Sequence, residues 1–306
     1  MDKDNMVWIP PGRFPMGSSS AFYPEEQPVH EVELDGFWMD RTPVTRRDFE
    51  TFVGETGYVT VAEKDLDPAA YPGVRDADLK AGSLVFTPSS GPVPLNDLSA
   101  WWRFIRGANW RVPDGCTGSA SDHPVVHIAY EDAQAYASWA EKSLPTEAQW
   151  EYAAHGGEPY TVYPWGWEFL VDGQAMANTW EGRFPWRETS RFPRTSPVAS
   201  FPANGYGLWD MIGNVWEWTQ DWWSVRHAPL SERACCAPVN PRGGAEADSL
   251  DLAQPAIRIP RKVLKGGSHL CSADYCARYR PSARIPQMID SGTSHIGFRC
   301  VLQNTR

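Results

Sequence analysis

Cys271 and Cys276, in the run Lys265-Gly-Gly-Ser-His-Leu-Cys-Ser-Ala-Asp-Tyr-Cys-Ala-Arg-Tyr-Arg280, are the residues of this chain whose type and spacing best suit chemistry. On a helix a separation of five turns two side chains about 140° apart, and on a strand odd separations point to opposite faces. Only a turn between them brings both sulfurs to one point. Two converging thiols can form a disulfide, act as a redox pair or hold a soft metal ion. Gly266 and Gly267, just before them, give the backbone freedom that a crowded site needs. A closed zinc site asks for four ligands, and only His269, His295 and Cys300 stand near enough in sequence to complete one. The vicinal pair Cys235-Cys236 has no partner motif, and adjacent Cα atoms lie closer than most disulfides allow, so it is given no function.

The elements that must position these thiols come from 306 residues, 42% of them hydrophobic, enough for a substantial core. Six cysteines in so long a chain do not make a disulfide scaffold. The N-terminus lacks a basic start followed by an apolar run, and no stretch approaches a membrane span, so a cytoplasmic location and no membrane partner are expected. A formal charge of −10 without clustered Lys and Arg argues against nucleic acid and favours a basic peptide. With 27 prolines, 25 glycines and 16 tryptophans, the chain is expected to form long ordered loops pinned by aromatic side chains. Three helices are predicted. One covers Thr45 to Thr56, with Thr45 and Asp48 in a capping-box arrangement; one covers Glu131 to Lys142, with an apolar stripe through Ala133, Tyr136, Ala137 and Ala140. The third follows Thr146 as N-cap, with Gln149 at the reciprocal position, and ends at Gly156-Gly157. Alternating runs at Val29 to Leu34 and Val125 to Ile128 read as strands, and Leu66 to Leu98, rich in Asp, Pro, Ala and Gly, reads as a loop excursion. The class is α+β with much irregular structure, in one compact domain over residues 1–306.

Several further motifs carry a resemblance: Met6-Val-Trp-Ile-Pro-Pro-Gly12 with Met16-Gly17, Thr56-Gly-Tyr-Val59, His123-Pro-Val-Val-His127, Leu144-Pro-Thr-Glu147, Asn204-Gly-Tyr-Gly-Leu208 and Gly213-Asn-Val-Trp-Glu-Trp218. Together with Lys265-Gly-Gly-Ser268, Cys271-x-x-x-Tyr275-Cys276-x-Arg278-Tyr-Arg280 and Gly297-Phe-Arg-Cys300, they make the chain similar to the formylglycine-generating enzyme family over nearly its whole length. The resemblance implies a C-type-lectin-related α+β fold of low regular content. Most of these motifs mark only a broad superfamily that also holds iron-dependent sulfoxide synthases and lectin-like binding proteins, so they speak for fold before chemistry.

The discriminating feature is the thiol pair, because Cys271 and Cys276 match the two thiols that bind copper(I) in the aerobic enzymes of this family. Copper(I) is soft and accepts two thiolates. The resemblance implies that a substrate cysteine, in a sulfatase polypeptide of Cys-x-Pro-x-Arg type, joins the metal and is oxidised by O2 to Cα-formylglycine. By position, Ser268 and Tyr275 would line the copper and oxygen pocket, and Trp216 would wall it from bulk water. Arg278, Arg280 and Arg299 belong to the same signature and are expected to pair with buried carboxylates, and Cys300 to pack in the core with Phe298.

Calcium is the second metal expected. In Asp210-Met-Ile-Gly213-Asn-Val215-Trp-Glu217 two carboxylates and irregular backbone carbonyls recur within eight residues, as a hard cation prefers, and the family binds calcium here. A second family calcium site would use Asn178, but the acidic segment expected downstream reads Ser190-Arg-Phe-Pro193, which should abolish or weaken it. Residues Ala283 to His295, Ser143 and His155 also depart from the family pattern, which leaves room for another peptide or a small thiol as substrate. A lectin-like module with a Cys271–Cys276 disulfide is the non-enzymatic alternative. A sulfoxide synthase would need an N-terminal histidine cluster, whereas His30 is the only histidine before His123.

Overall fold

The computed structural model describes residues 3–69, 71–75, 79–116, 118, 120–158, 160–227 and 237–303. Cys235 and Cys236 lie outside the described residues. In chain order the elements are β1 (Met6–Ile9), β2 (Gly12–Met16), β3 (His30–Leu34), β4 (Phe37–Asp40), α1 (Arg46–Thr56), β5 (Gly82–Phe86), β6 (Trp102–Arg106), α2 (Tyr130–Trp139) and α3 (Glu147–His155). Four two-residue strands follow, β7 (Leu170–Val171), β8 (Gln174–Ala175), β9 (Gly182–Arg183) and β10 (Arg187–Glu188). The C-terminal third contributes β11 (Trp216–Trp222), β12 (Arg261–Lys265), β13 (Arg284–Met288), β14 (Ile296–Gly297) and β15 (Val301–Gln303). Short strands, three helices among the described residues and long connections make this the loop-rich α+β architecture that the composition implied. Among those residues no helix is long and apolar enough to cross a membrane.

Helix ends follow local chemistry. Thr45 caps α1 by accepting from the Asp48 N–H while the Asp48 carboxylate accepts from the Thr45 N–H, and Gly57 closes the helix in the left-handed region. Thr146, Gln149 and Gly156 do the same for α3. Helix α2 differs from its predicted bounds. It begins one residue earlier because Asp132 accepts from the Ala129 N–H, and it ends at Trp139 because Glu141 adopts a φ of 55°. The predicted strand at Val125 to Ile128 does not form. His127 has a φ of 61°, and the N–H groups of Val125 and His127 donate to Val44 and Thr293, which belong to different segments, so this apolar run is buried without a ladder. Within the predicted loop at Leu66 to Leu98, β5 pairs antiparallel with β6.

Two sheets organise the site. The order β1-β4-β15 brings both ends of the chain together, and the order β13-β12-β11-β14 forms the larger sheet, antiparallel except for the parallel β11/β14 pair. All nine residues of α3 are buried, behind this second sheet. The main core is aromatic: Phe49 lies 5.2 Å from Trp110 and 5.9 Å from Tyr136, and Tyr136 lies 5.3 Å from Phe298. Such pairs add about 0.5–1.5 kcal/mol each beyond their buried area. Cys300 is fully buried in this cluster, as is Phe298 two residues before it.

Candidate active site

The connection between β12 and β13, residues 266–283, carries both thiols. Its two ends are held in register, Lys265 opposite Arg284, so the loop leaves and re-enters the sheet at one edge. Gly266 and Gly267 have φ values of 95° and 76°, and a Cβ on Gly266 would lie 2.7 Å from the Met211 carbonyl oxygen. Only glycine allows the chain to turn there. The Cys271 N–H then donates to Ser268 and the Cys276 N–H to Ser272, both through backbone carbonyls, giving the turn that the spacing required. The two thiols are free and hydrogen-bonded to each other. That hydrogen bond from Cys271 holds the Cys276 thiol below its ordinary value, whereas burial pushes Cys271 well up. The arrangement supplies one sulfur poised to ionise and one poised to donate.

A cavity of about 160 Å³ opens on the pair, lined among others by Trp102, Trp216, Ser268, Tyr275, Ile285 and His295. Ser268 is fully buried, and its Oγ accepts from the Leu270 N–H. The Tyr275 ring stacks flat on Phe184, with centroids 4.5 Å apart and an interplanar angle of 1°, and meets Trp101 edge-on. Burial raises the Tyr275 phenol, so it remains a hydrogen-bond donor at neutral pH. Trp216 opens β11 and is buried, its N–H donating to His295. Ser268, Tyr275 and Trp216 thus line the same cavity as the two thiols. Sequence reasoning missed Trp101, Trp102 and Phe184, which complete the aromatic wall together with Trp180 and Leu270. The one available signal was the adjacent tryptophan pair beside the Pro- and Gly-rich stretch.

Ion pairs from the N-terminal region clamp the loop. Arg278 pairs with Glu25 at 2.6 Å and Arg280 with the fully buried Glu26 at 2.7 Å, and both guanidinium groups lie over the Tyr23 ring. Beneath the loop Lys265, with no exposed side-chain surface, reaches Glu151 at 2.7 Å and Glu147 at 3.5 Å. Glu147 is also gripped by Arg284, and its carboxyl lies at about 2: burial alone would raise it, but Arg284 and Lys265 overcome that. Glu151 has one cation, the lysine, and the Gly17 N–H, and burial leaves its carboxyl raised. Arg299 forms a fork with Glu217. All three signature arginines thus pair with carboxylates, as expected for that motif.

Around the predicted calcium segment, Asp210 is buried and burial pushes its carboxyl up to about 6. Its oxygens accept from the Ala199 N–H and the Asn214 side chain. The Glu217 oxygens receive Arg299 and the Trp150 indole. This is the interior of the protein, not the surface turn that a capping role would give. Asn178 is also buried, its amide donating to the Arg194 carbonyl. Among the described residues no three His, Cys, Asp or Glu side chains converge to hold a metal ion, so His269, His295 and Cys300 do not complete a zinc site with the thiols. A larger cavity of about 320 Å³ lies beyond His269 and Ser294 and contains neither thiol.

The family model described as sulfatase-modifying factor enzyme 1-like domain matches residues 1–304. The chain is 52% identical over 303 residues to the formylglycine-generating enzyme of Mycobacterium tuberculosis, covering 97% of each. It is 41% identical over 302 residues to that of Mus musculus, covering 96% of this chain and 74% of the mouse protein. Among solved structures, PvdO from Pseudomonas aeruginosa superposes with a TM-score of 0.63 over 97% of this chain and 93% of that one at 21% identity, a likeness of fold.

Proposed function

Because the chain belongs to the sulfatase-modifying factor enzyme 1-like family, we propose that it oxidises a cysteine of a sulfatase polypeptide, within a Cys-x-Pro-x-Arg segment, to Cα-formylglycine, using copper(I) and O2. The observation that carries this reading is the pair of free thiols of Cys271 and Cys276 lining one aromatic-walled cavity. A donor set of two sulfurs, with no third His, Cys, Asp or Glu ligand converging among the described residues, suits a soft ion of low coordination number and suits neither zinc nor calcium. Copper(I) held there would supply binding of the substrate thiolate and electron transfer to O2.

The residues of the chain do the rest. Cys276, already the easier thiol to ionise, gives up its proton first, and Cys271 follows once a cation offsets its burial. Ser268 and the Tyr275 phenol stand where a hydroxyl can orient a reacting oxygen or sulfur. Trp216, Phe184 and Trp101 keep bulk water from the reacting carbon. The substrate CH2–SH would lose two electrons and two protons to O2, giving a thioaldehyde and hydrogen peroxide, and water would then replace sulfur, releasing hydrogen sulfide.

Calcium is proposed as a structural ion held by Asp210, Glu217 and the carbonyls of Gly213 and Val215: the buried Asp210 carboxyl raised by desolvation is what a bound cation would relieve, and Glu217 would exchange one of its donors, Arg299 or Trp150, for the ion. Asn178 is left without a second ion because residues 190–193 carry no carboxylate.

The test is aerobic turnover of a Cys-x-Pro-x-Arg peptide by protein reconstituted anaerobically with copper(I), followed by mass spectrometry, with copper(I) titration against a competing chelator alongside. Thiol-to-aldehyde conversion that is lost in both Cys271→Ala and Cys276→Ala, together with loss of tight copper binding, is the expected result. Tight copper binding without conversion would point to another thiol substrate, and conversion by either variant would overturn the assignment of the ligands.

A further inference from the structure

A third cavity, of about 300 Å³, lies between α2, the segment leading into α3, β11 and β12, and shares no lining residue with the thiol pocket. Three cations face it, Lys142, Arg242 and Lys262, in a chain whose net charge is −10. Two of them are already paired: Lys142 with Asp40 at 2.6 Å, and Arg242 with Asp221 at 3.6 Å. Those carboxylates are further occupied by backbone donors, Asp40 by the Cys300 N–H and Asp221 by the N–H groups of Glu147 and Gly243. Lys262 is different. It is 5% exposed, its ammonium donates to the Gln220 carbonyl and lies over the Trp222 and Tyr130 rings, and among the described residues no carboxylate pairs with it. Asp221 and Glu246 act on it only from farther off, and burial brings its amine down to about 8.

A buried ammonium without a counter-ion is costly, and the deficit is met by a ligand of opposite charge or by loss of the proton. The remaining groups around Lys262 favour the ligand. Ser138, Ser143 and Arg242 line the same space; the Ser143 hydroxyl donates to the Val301 carbonyl and Arg242 also donates to the Gln220 side chain, so the cavity offers an anion its positive charge and the N–H groups that the guanidinium and the ammonium have left over. An apolar or cationic ligand would make no use of the charge of these three cations.

We propose that this cavity is a binding site for a small tetrahedral oxyanion, phosphate or sulfate, free or as the head of a small ester, held chiefly by Lys262 and Arg242. The site stands on the opposite end of β12 from the Gly266-Gly267 turn, and its occupancy is independent of the thiol chemistry proposed above. The experiment uses the full chain, with inorganic phosphate, inorganic sulfate and glycerol phosphate as probes at constant ionic strength against chloride. Phosphate or sulfate at about 10 mM is expected to raise Tm by roughly 2–5 °C over chloride, with saturable heat in calorimetry. The increment should disappear in Lys262→Met and in Arg242→Gln, each compared with its own chloride baseline, and persist in Cys271→Ala. Arg242→Gln alters a largely exposed side chain, so it guards against misfolding of the lysine variant. Glycerol phosphate binding as well as inorganic phosphate would identify an ester head as the ligand, and its failure beside inorganic phosphate would identify the free ion. No anion-specific increment in the wild type, or an increment retained in both variants, would overturn the site.

Discussion

Replacing Lys265 by Met tests whether the thiol loop rests on a buried charge network. The lysine has no exposed side-chain surface, and its loss leaves Glu151 with the Gly17 N–H, at 2.7 Å, as the one donor it retains among the described residues. Glu147 keeps Arg284. Removing one partner of a buried pair costs about 3–5 kcal/mol, because the other charge stays buried and uncompensated. At about 2 °C per kcal/mol for a chain of this size, Tm falls by roughly 6–10 °C. Glu151→Gln in the same chain should restore most of it, since a neutral amide needs no counter-ion. The effect has a pH signature. Burial already raises Glu151, and a carboxyl raised in the folded state contributes stability below its unfolded value and loses it as pH rises through the folded one. Without the lysine that folded value rises further, so the deficit of Lys265→Met should be smaller near about pH 5 than near about pH 8. Urea unfolding of the wild type, the two single variants and the double variant at both pH values is the assay. A deficit below about 1 kcal/mol, or a double variant as unstable as the two losses added, would refute the reasoning.

Three further outcomes follow from the same geometry. Phe184→Ala removes the ring stacked on Tyr275, and should cost about 3 kcal/mol and speed modification of Cys276 by a thiol reagent; unchanged labelling would show that Phe184 does not screen the pocket. Gly266→Ala places a methyl group 2.7 Å from the Met211 carbonyl oxygen and 2.8 Å from the Trp150 ring at a φ of 95°, and should cost about 2–4 kcal/mol in chemical denaturation. Burial lowers the His127 imidazole to about 4 from an ordinary 6.5. A value depressed in the folded state gives stability that is present above the unfolded value and lost as pH falls toward the folded one, so His127→Asn should lose about 2 kcal/mol less than wild type between about pH 7 and pH 5. Equal acid sensitivity of the two proteins would place the titration elsewhere.

Much of the local structure was legible because its causes are local. Thr45 with Asp48, and Thr146 with Gln149, mark two helix starts by side chains three residues apart, and Gly57 and Gly156 mark the ends by a backbone conformation that glycine tolerates. Val125 to Ile128 was misread because apolar alternation reports burial; which N–H groups find which carbonyls is a matter of segments far away in the chain. The strand at Gly82–Phe86 went unread because its ladder partner, Trp102–Arg106, lies beyond a stretch dense in turn residues.

The thiol pair, the Gly-Gly turn before it and the arginines after it were set by the sequence alone, because residue type and spacing within sixteen residues already exclude a helix or a strand as the frame for two converging sulfurs. Tertiary structure alone decided what surrounds them. Glu25 and Glu26 reach Arg278 and Arg280 across more than 250 residues, Phe184 stacks on Tyr275, and Trp101 and Trp102 close the wall. Electrostatic pairing and aromatic packing depend on distance in space, and one-dimensional spacing holds no record of which distant segment a folded chain will bring near.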